Sequence, residues 1–369
     1  MGAIRNLIYI FGDQLDLKGS SFEGFDPNND RISMGEVEEE ATSVWSHKIR
    51  LVFFFSAMRH FRDEIKKKDF PLDYQELSKR GSKNEHRSFR EHISTRIDQY
   101  HPEKLVVTLP GDYRVLHTLR SVCGKQKVEL EVRPDTHFLS TPEEFEDWAE
   151  GKKSFTMEYF YRTLRKKHDI LMDEDGKPVG GDWNFDQENR ETFGKEGPSN
   201  LPDPPDFQID DLTQEVMEMV ESRFGDHPGN LEYFNLPVTR KQSLYLLRHF
   251  TDNCLKHFGK YQDALWTGEP FLYHSRLSAP LNVKLIHPRE VLDRAIDAAQ
   301  EKDIPLNSLE GFVRQVLGWR EFVRGVYWMK MPEYASLNAL DHHEEIPSFF
   351  WDGETDMECV RDSMKQVLD

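Results

Sequence analysis

The stretch that decides the fold is residues 6–14, NLIYIFGDQ. An apolar run of strand length stops at a glycine and an aspartate, which is typical of a buried strand that turns at one edge of a sheet. Similar apolar runs occupy residues 32–34, 51–55, 105–109 and 128–132. We predict that all five runs are β-strands.

Segments with helical periodicity separate these runs, at residues 36–47, 58–68 and 87–100. This alternation predicts βαβ units in a parallel, doubly wound sheet, so the fold class is α/β. Sheets of this kind bind ligands at the carboxyl edge of their strands. Gly12 and Asp13, and likewise Gly111 and Asp112, follow predicted strands at that edge, and neither common phosphate-binding fingerprint follows any strand.

Beyond residue 133 the pattern becomes helical. Two helices are predicted within residues 141–170, the first capped by Ser140 or Thr141, and a Gly- and Pro-rich connection follows them. Further helices are predicted at residues 212–224, 240–258, 288–302 and 308–328. We therefore expect an α/β domain at 1–137, a helical and Gly/Pro-rich connection at 138–210, and an all-helical domain at 211–369.

Composition narrows the class of protein. The chain has 369 residues, of which 37% are hydrophobic, and no apolar run is long enough to cross a bilayer. The N-terminus lacks the features of a signal peptide, so we predict a cytoplasmic protein. The net charge of −18 disfavours non-specific nucleic-acid binding, although a local basic face is compatible with it. Three widely spaced cysteines form neither a disulfide framework nor a CxxC metal motif.

Two segments of the helical part could carry chemistry. Arg320 continues the apolar face of residues 312–317, so it either pairs with a core carboxylate or faces an anionic or aromatic ligand beside Gln315 and Trp319. Ser275 and Ser278 flank an apolar residue and form either a phosphate cradle or an ordinary helix cap. The acidic and histidine-containing run 341–345, DHHEE, is interpreted as a solvated turn.

Several stretches together resemble one family. They are GDQL, FFFSAMRHF, PGDYRV, TMEYFYR, GGDWNFDQENR, PLNSLEGFVRQVLGWREFVRGVYW and FFWDGETDMEC, and they occur in the family's order with similar spacing. The family is the photolyase-related proteins of the prokaryotic iron–sulfur branch, also called iron–sulfur bacterial cryptochromes and (6-4) photolyases.

The resemblance implies cofactors and site residues. It implies an antenna domain that binds 6,7-dimethyl-8-ribityllumazine, a helical domain that binds FAD, and a [4Fe–4S] cluster. The residues beside the antenna pigment would be Gly12, Asp13, Glu36 and Glu40. The residues lining FAD would be Ser275, Leu277, Ser278, Gln315, Trp319 and Arg320. Trp351 would be the electron-transfer tryptophan nearest the flavin, and Cys359 the first of four cluster cysteines.

The family pattern continues beyond Cys359, so the flavin domain of this chain is expected to be incomplete. Either the chain is a truncated product or fragment, or a partner supplies the rest, and a stable cluster is not expected in this chain. The implied activity is that of a photolyase-type lyase, the light-driven, FAD-dependent repair of UV-damaged DNA carrying (6-4) or dimer lesions. The alternatives are a cryptochrome-like blue-light sensor and an inactive cofactor-binding remnant. The expected partner is UV-damaged DNA, no association with a membrane is expected, and the expected oligomeric state is a monomer. Residues 162–168, RTLRKKH, would contact DNA only if they flank the flavin pocket, and otherwise form a solvated helix face.

Overall fold

The computed structural model describes residues 4–83 and 85–368. Its contacts divide the chain into two compact units. The first unit contains the residues up to Asp135, the segment Phe207–Thr239 and the residues from Ser336 onward, and the second contains Thr136–Asp206 and Arg240–Ala335. The predicted boundaries at 1–137, 138–210 and 211–369 stay predictions. Within the described part of the chain, no helix has the length and apolar character needed to cross a membrane.

The first unit is built on a sheet of five parallel strands, as predicted. They are β1 (Asn6–Tyr9), β2 (Asp30–Gly35), β3 (Leu72–Gln75), β4 (Lys104–Thr108) and β5 (Glu129–Arg133). The strand order is β3-β2-β1-β4-β5, which is doubly wound, because the chain builds outward from β1 first on one side and then on the other. The switch point therefore lies between the carboxyl ends of β1 and β4.

Helices flank this sheet. Those of the first unit are α1 (Glu38–Thr42), α2 (Lys48–Lys66), α3 (Phe89–Tyr100), α4 (Tyr113–Gln126), α7 (Asp211–Arg223), α14 (Phe349–Asp352) and α15 (Glu358–Leu368). The core between the sheet and helices α3 and α4 includes the fully buried Val107, Ile93 and Leu119. Helix α4 has no counterpart among the predicted helices. Its first turn is capped by Asp112, the acceptor of a 2.7 Å hydrogen bond from the Arg114 N–H.

One predicted strand is wrong. Residues 51–55 lie inside α2, and the remaining strand of the sheet is β3. Helix α2 contacts both β3 and α7, so its residues are buried on several sides and its helical periodicity is hidden. Strand β3 is a short edge strand with three partly exposed positions, so its sequence LDYQ contains no apolar run.

The second unit is helical. Its helices are α5 (Pro142–Ala149), α6 (Met157–His168), α8 (Arg240–His249), α9 (Leu255–Tyr261), α10 (Ser278–Asn282), α11 (Pro288–Lys302), α12 (Leu306–Val313) and α13 (Arg320–Lys330). A π-helical turn, Arg314–Trp319, joins α12 to α13. The described residues beyond 211 contain no strand, as predicted, and Thr141 caps α5 in a capping box with Glu144.

Buried polar side chains fix the Gly- and Pro-rich connection against the second unit. Arg165 is buried and donates hydrogen bonds to the carbonyls of Leu171 and Trp183. Asn189, also buried, donates to the carbonyl of Asn307 at 3.0 Å. Because buried polar groups need partners, these contacts tie the GGDWNFDQENR stretch to α6 and α12.

Candidate functional site

The carboxyl ends of β1 and β4 form the candidate antenna site. A Cβ added at Gly111 would lie 3.0 Å from the Asp13 Oδ2 atom, so the Asp13 carboxylate lies close to the turn after β4. A Cβ added at Gly12 would lie 2.8 Å from the Met58 sulfur, so the chain after β1 passes close to this side chain of α2. The structure thus brings Gly12 and Asp13 to the switch point, where open α/β sheets bind ligands.

Glu40 lies on α1 near the same edge. Its Oε1 atom is 2.6 Å from the Arg114 guanidinium, and its side chain is partly exposed. Partial burial raises the pKa of Glu40, and the Arg114 charge opposes that rise. Glu40 is therefore accessible to a ligand, with Arg114 as a neighbour that the sequence analysis did not identify.

Glu36, predicted to lie beside the pigment, is buried among protein donors. Its side chain is 0% exposed, and it accepts hydrogen bonds at 2.8 and 2.9 Å from Arg59. The Tyr74 hydroxyl donates to it at 2.6 Å, and the Leu77 N–H at 2.8 Å. Burial and the Glu36 carboxylate raise the pKa of Tyr74. Since its oxygens are used by four internal donors, Glu36 joins α2 to the end of β3.

The predicted flavin residues Gln315 and Trp319 lie in the π-helical turn. Both side chains are exposed, four residues apart on one segment. Ser278 is exposed at the start of α10, whereas Leu277 is buried in the core. The Ser275 hydroxyl accepts a 3.3 Å hydrogen bond from the Leu277 N–H, so this serine stabilises a local turn before α10.

Arg320 pairs with a core carboxylate, the first of its two interpretations. Its Nη1 atom is 3.2 Å from Glu321, whose side chain is 0% exposed and also accepts from the Ser140 hydroxyl at 2.7 Å. The same Nη1 atom donates to the carbonyl of His137 at 2.9 Å, and the guanidinium lies 3.7 Å above the Phe138 ring. These contacts explain how an arginine can continue an apolar helix face.

Trp351 and Cys359 belong to the first unit, whereas Ser278, Gln315 and Arg320 belong to the second. The exposed Trp351 lies on α14, with its ring centroid 5.8 Å from that of Trp45. Cys359 is exposed on α15, a helix without a buried residue. Cys123 is buried in the first unit and Cys254 in the second.

The described residues do not fit an iron–sulfur cluster. Across residues 4–83 and 85–368, no group of three or more His, Cys, Asp or Glu side chains is placed to hold a metal ion. A cluster needs four closely placed ligands. Cys123 is buried and Cys359 exposed in the first unit, and Cys254 is buried in the second. Within the exposed DHHEE run, the His343 ring and the Asp341 carboxylate share a 2.7 Å hydrogen bond, in agreement with its interpretation as a solvated turn.

The basic residues of α6 are mostly used within the second unit. Arg165 is buried on carbonyl groups, Arg162 pairs with Glu158 at 2.8 Å, and Lys167 pairs with Glu144 at 2.5 Å. One such contact is predictable from the sequence, because an arginine within an apolar helix pattern requires a partner. Lys167 and Arg162 carried no signal of this kind.

Comparison with known proteins gives consistent relationships. Residues 8–236 match the family described as "Deoxyribodipyrimidine photo-lyase-related protein". A (6-4) photolyase from Agrobacterium fabrum is 38% identical over 367 residues, which cover 99% of this chain and 71% of that protein. The uncharacterized protein R853 of Acanthamoeba polyphaga mimivirus is 35% identical over 101 residues, 27% of this chain and 77% of that protein. The crystal structure of a bacterial class III photolyase from Agrobacterium tumefaciens has the same fold, with a TM-score of 0.60 at 15% identity over 99% of this chain and 69% of that one.

Proposed function

Because this chain belongs to the deoxyribodipyrimidine photo-lyase-related protein family and has a photolyase/cryptochrome family function, we propose that it takes part in light-driven, FAD-dependent repair of UV-damaged DNA. The observation that carries the proposal is 38% identity to a (6-4) photolyase across 99% of the chain. The substrate would be DNA with a (6-4) or dimer lesion. Such a lesion weakens stacking and pairing, which lowers the cost of moving the damaged bases out of the duplex.

The switch-point edge would hold the lumazine antenna. Asp13 and Glu40 offer carboxylate oxygens that can accept hydrogen bonds from ribityl hydroxyls, as acidic residues do for ribose hydroxyls in related sheets. The absence of a side chain at Gly111 leaves room beside Asp13. Glu36 would contribute indirectly, by fixing the end of β3 through Arg59.

The exposed residues of the second unit fit part of a flavin site. Ser278 and Gln315 can donate and accept hydrogen bonds, and Trp319 offers an aromatic face. Bound FAD would supply the electron that light transfers to the lesion. Arg320 would position the start of α13 through His137 and Glu321. Trp351 would relay electrons to the flavin.

A cryptochrome-like light sensor is the second candidate. It is favoured by one observation: Arg162, Arg165 and Lys167 are engaged within the second unit and so offer less positive charge to a DNA backbone. A sensor would share the cofactors and the light-dependent flavin chemistry without acting on the lesion.

The test is anaerobic reconstitution with FAD and lumazine, then blue light in the presence of an oligonucleotide with one (6-4) or dimer lesion. Repair predicts light-dependent loss of the lesion, and Gln315→Ala should weaken FAD binding about tenfold, the effect of losing one or two hydrogen bonds. The matched control is Gln187→Ala, an exposed glutamine of the connection. Light-dependent flavin reduction without lesion loss would favour the sensor, and failure to bind either cofactor would favour the remnant.

A further inference from the structure

The first unit contains a cavity whose lining includes none of the residues assigned above to the antenna. It has a volume of about 290 Å3 and lies among the loop after β3, α1 and α7. The charged side chains in its lining are Glu38, Arg80, Lys83, Glu85, Arg87 and Arg223. All of them belong to the first unit.

The two carboxylates of this lining both pair with one arginine. Arg223, whose side chain is 12% exposed, lies 2.6 Å from Glu85 and 3.2 Å from Glu38. Although burial opposes it, hydrogen bonds from Ser78 and Arg223 hold the pKa of Glu85 below its usual value. Glu85 is therefore charged at neutral pH, and the Arg223 charge is used within this group.

The remaining cations have little compensation. Among residues 4–83 and 85–368, neither Arg80 nor Lys83 takes part in an ion pair, and the 83%-exposed Arg87 is 3.7 Å from Glu38. With four cationic and two carboxylate side chains, the lining carries two excess positive charges in a chain whose net charge is −18. A concave surface with one excess sign of charge concentrates ligands of the opposite sign.

The loop that carries these cations is anchored to α7. The Ser222 hydroxyl donates to the carbonyl of Lys79 at 3.0 Å, and Arg223 donates to the carbonyl of Ser78 at 3.2 Å. The Lys79 ammonium group also pairs with Glu218. These contacts hold the start of the loop in place before any ligand arrives, which lowers the entropic cost of binding.

We infer that this cavity binds a small phosphate monoester. A phosphate monoester carries a charge of about −1.5 to −2 at pH 7, which matches the excess charge of the lining. The guanidinium groups of Arg80 and Arg87 can each donate two parallel hydrogen bonds to phosphate oxygens. A volume of about 290 Å3 is at the lower end of the range for small-molecule sites, which suits a phosphate joined to a small organic group. This inference does not depend on the proposed function.

Calorimetric titration of the full chain at constant ionic strength tests the inference, with ribose 5-phosphate and ribose as probes. We expect saturable binding of ribose 5-phosphate, no binding of ribose, and competition by inorganic phosphate. The exposed double variant Arg80→Gln/Lys83→Gln should bind at least about tenfold more weakly, because it loses two charge-assisted contacts.

The control is Lys67→Gln/Lys68→Gln, which makes the same charge change at exposed positions after α2. It should bind ribose 5-phosphate like the unmodified chain. The inference is overturned if both double variants weaken binding equally, if neither does, or if the unmodified chain shows no saturation below about 10 mM ribose 5-phosphate, the weak end of specific binding.

Discussion

Replacing Arg59 by methionine tests whether Glu36 is a structural residue of the first unit. The change keeps an unbranched apolar chain at a buried position of α2 and removes the guanidinium that binds Glu36 through two hydrogen bonds. Glu36 remains completely buried. The variant therefore leaves a carboxylate in the interior without its cation.

Breaking a buried ion pair by removing one partner costs about 3–5 kcal/mol. We expect a value near 3 kcal/mol, the lower end of that range, because Tyr74 and the Leu77 N–H still donate to the carboxylate. At a typical urea dependence of about 2–3 kcal/mol per molar, the unfolding midpoint should fall by about 1 M or more.

The measurement is urea unfolding at pH 7, followed by circular dichroism and by tryptophan fluorescence. Arg50→Met is the matched control, since Arg50 is an exposed arginine of the same helix. Its unfolding free energy should change by less than about 0.5 kcal/mol, as for most surface substitutions.

The double variant Glu36→Leu/Arg59→Met completes the test. Replacing both charges with apolar groups should recover at least half of the loss caused by Arg59→Met, because no unpaired charge remains. If Arg59→Met changes the unfolding free energy no more than Arg50→Met does, the assignment of Glu36 to the fold is incorrect.

Three further outcomes are expected. Burial and the nearby Arg96 charge lower the pKa of His92 to about 3, so the free energy of unfolding is highest above pH 6.5 and falls as the pH is lowered toward the folded-state pKa. From pH 7 to pH 5, this group should lower the free energy of unfolding by about 2 kcal/mol. In urea unfolding, His92→Gln should show a decrease over the same pH range that is smaller by that amount. Asp13→Ala should weaken lumazine binding about tenfold in fluorescence titrations, whereas the remote Asp98→Ala should not; equal affinities would remove Asp13 from the antenna site. A disulfide reagent should modify one thiol of the folded chain rapidly, and Cys359→Ser should abolish that phase, because the other two cysteines are buried and burial raises the pKa of each to about 11.

The sequence determined the main features of the sheet. Four of its five strands are apolar runs bounded by turn residues, so each could be identified from neighbouring positions alone. The same local pattern placed Gly12 and Asp13 at the carboxyl edge, and the parallel topology then placed the turn at Gly111 beside them. Helical periodicity likewise located α11, because one of its faces is buried and the other exposed.

Only the tertiary structure decided features that depend on burial from several sides or on distant partners. Residues 51–55 lie in a helix that the sequence does not reveal. Because α2 contacts both β3 and α7, it is buried on several sides, and a short buried apolar run does not distinguish helix from strand. Glu36 and Arg59 are 23 positions apart, and Arg320 reaches a carbonyl 183 positions away. The sequence predicts that a charged side chain within an apolar pattern needs a partner. It does not identify that partner, because an ion pair forms only where the packing of distant segments brings both side chains together.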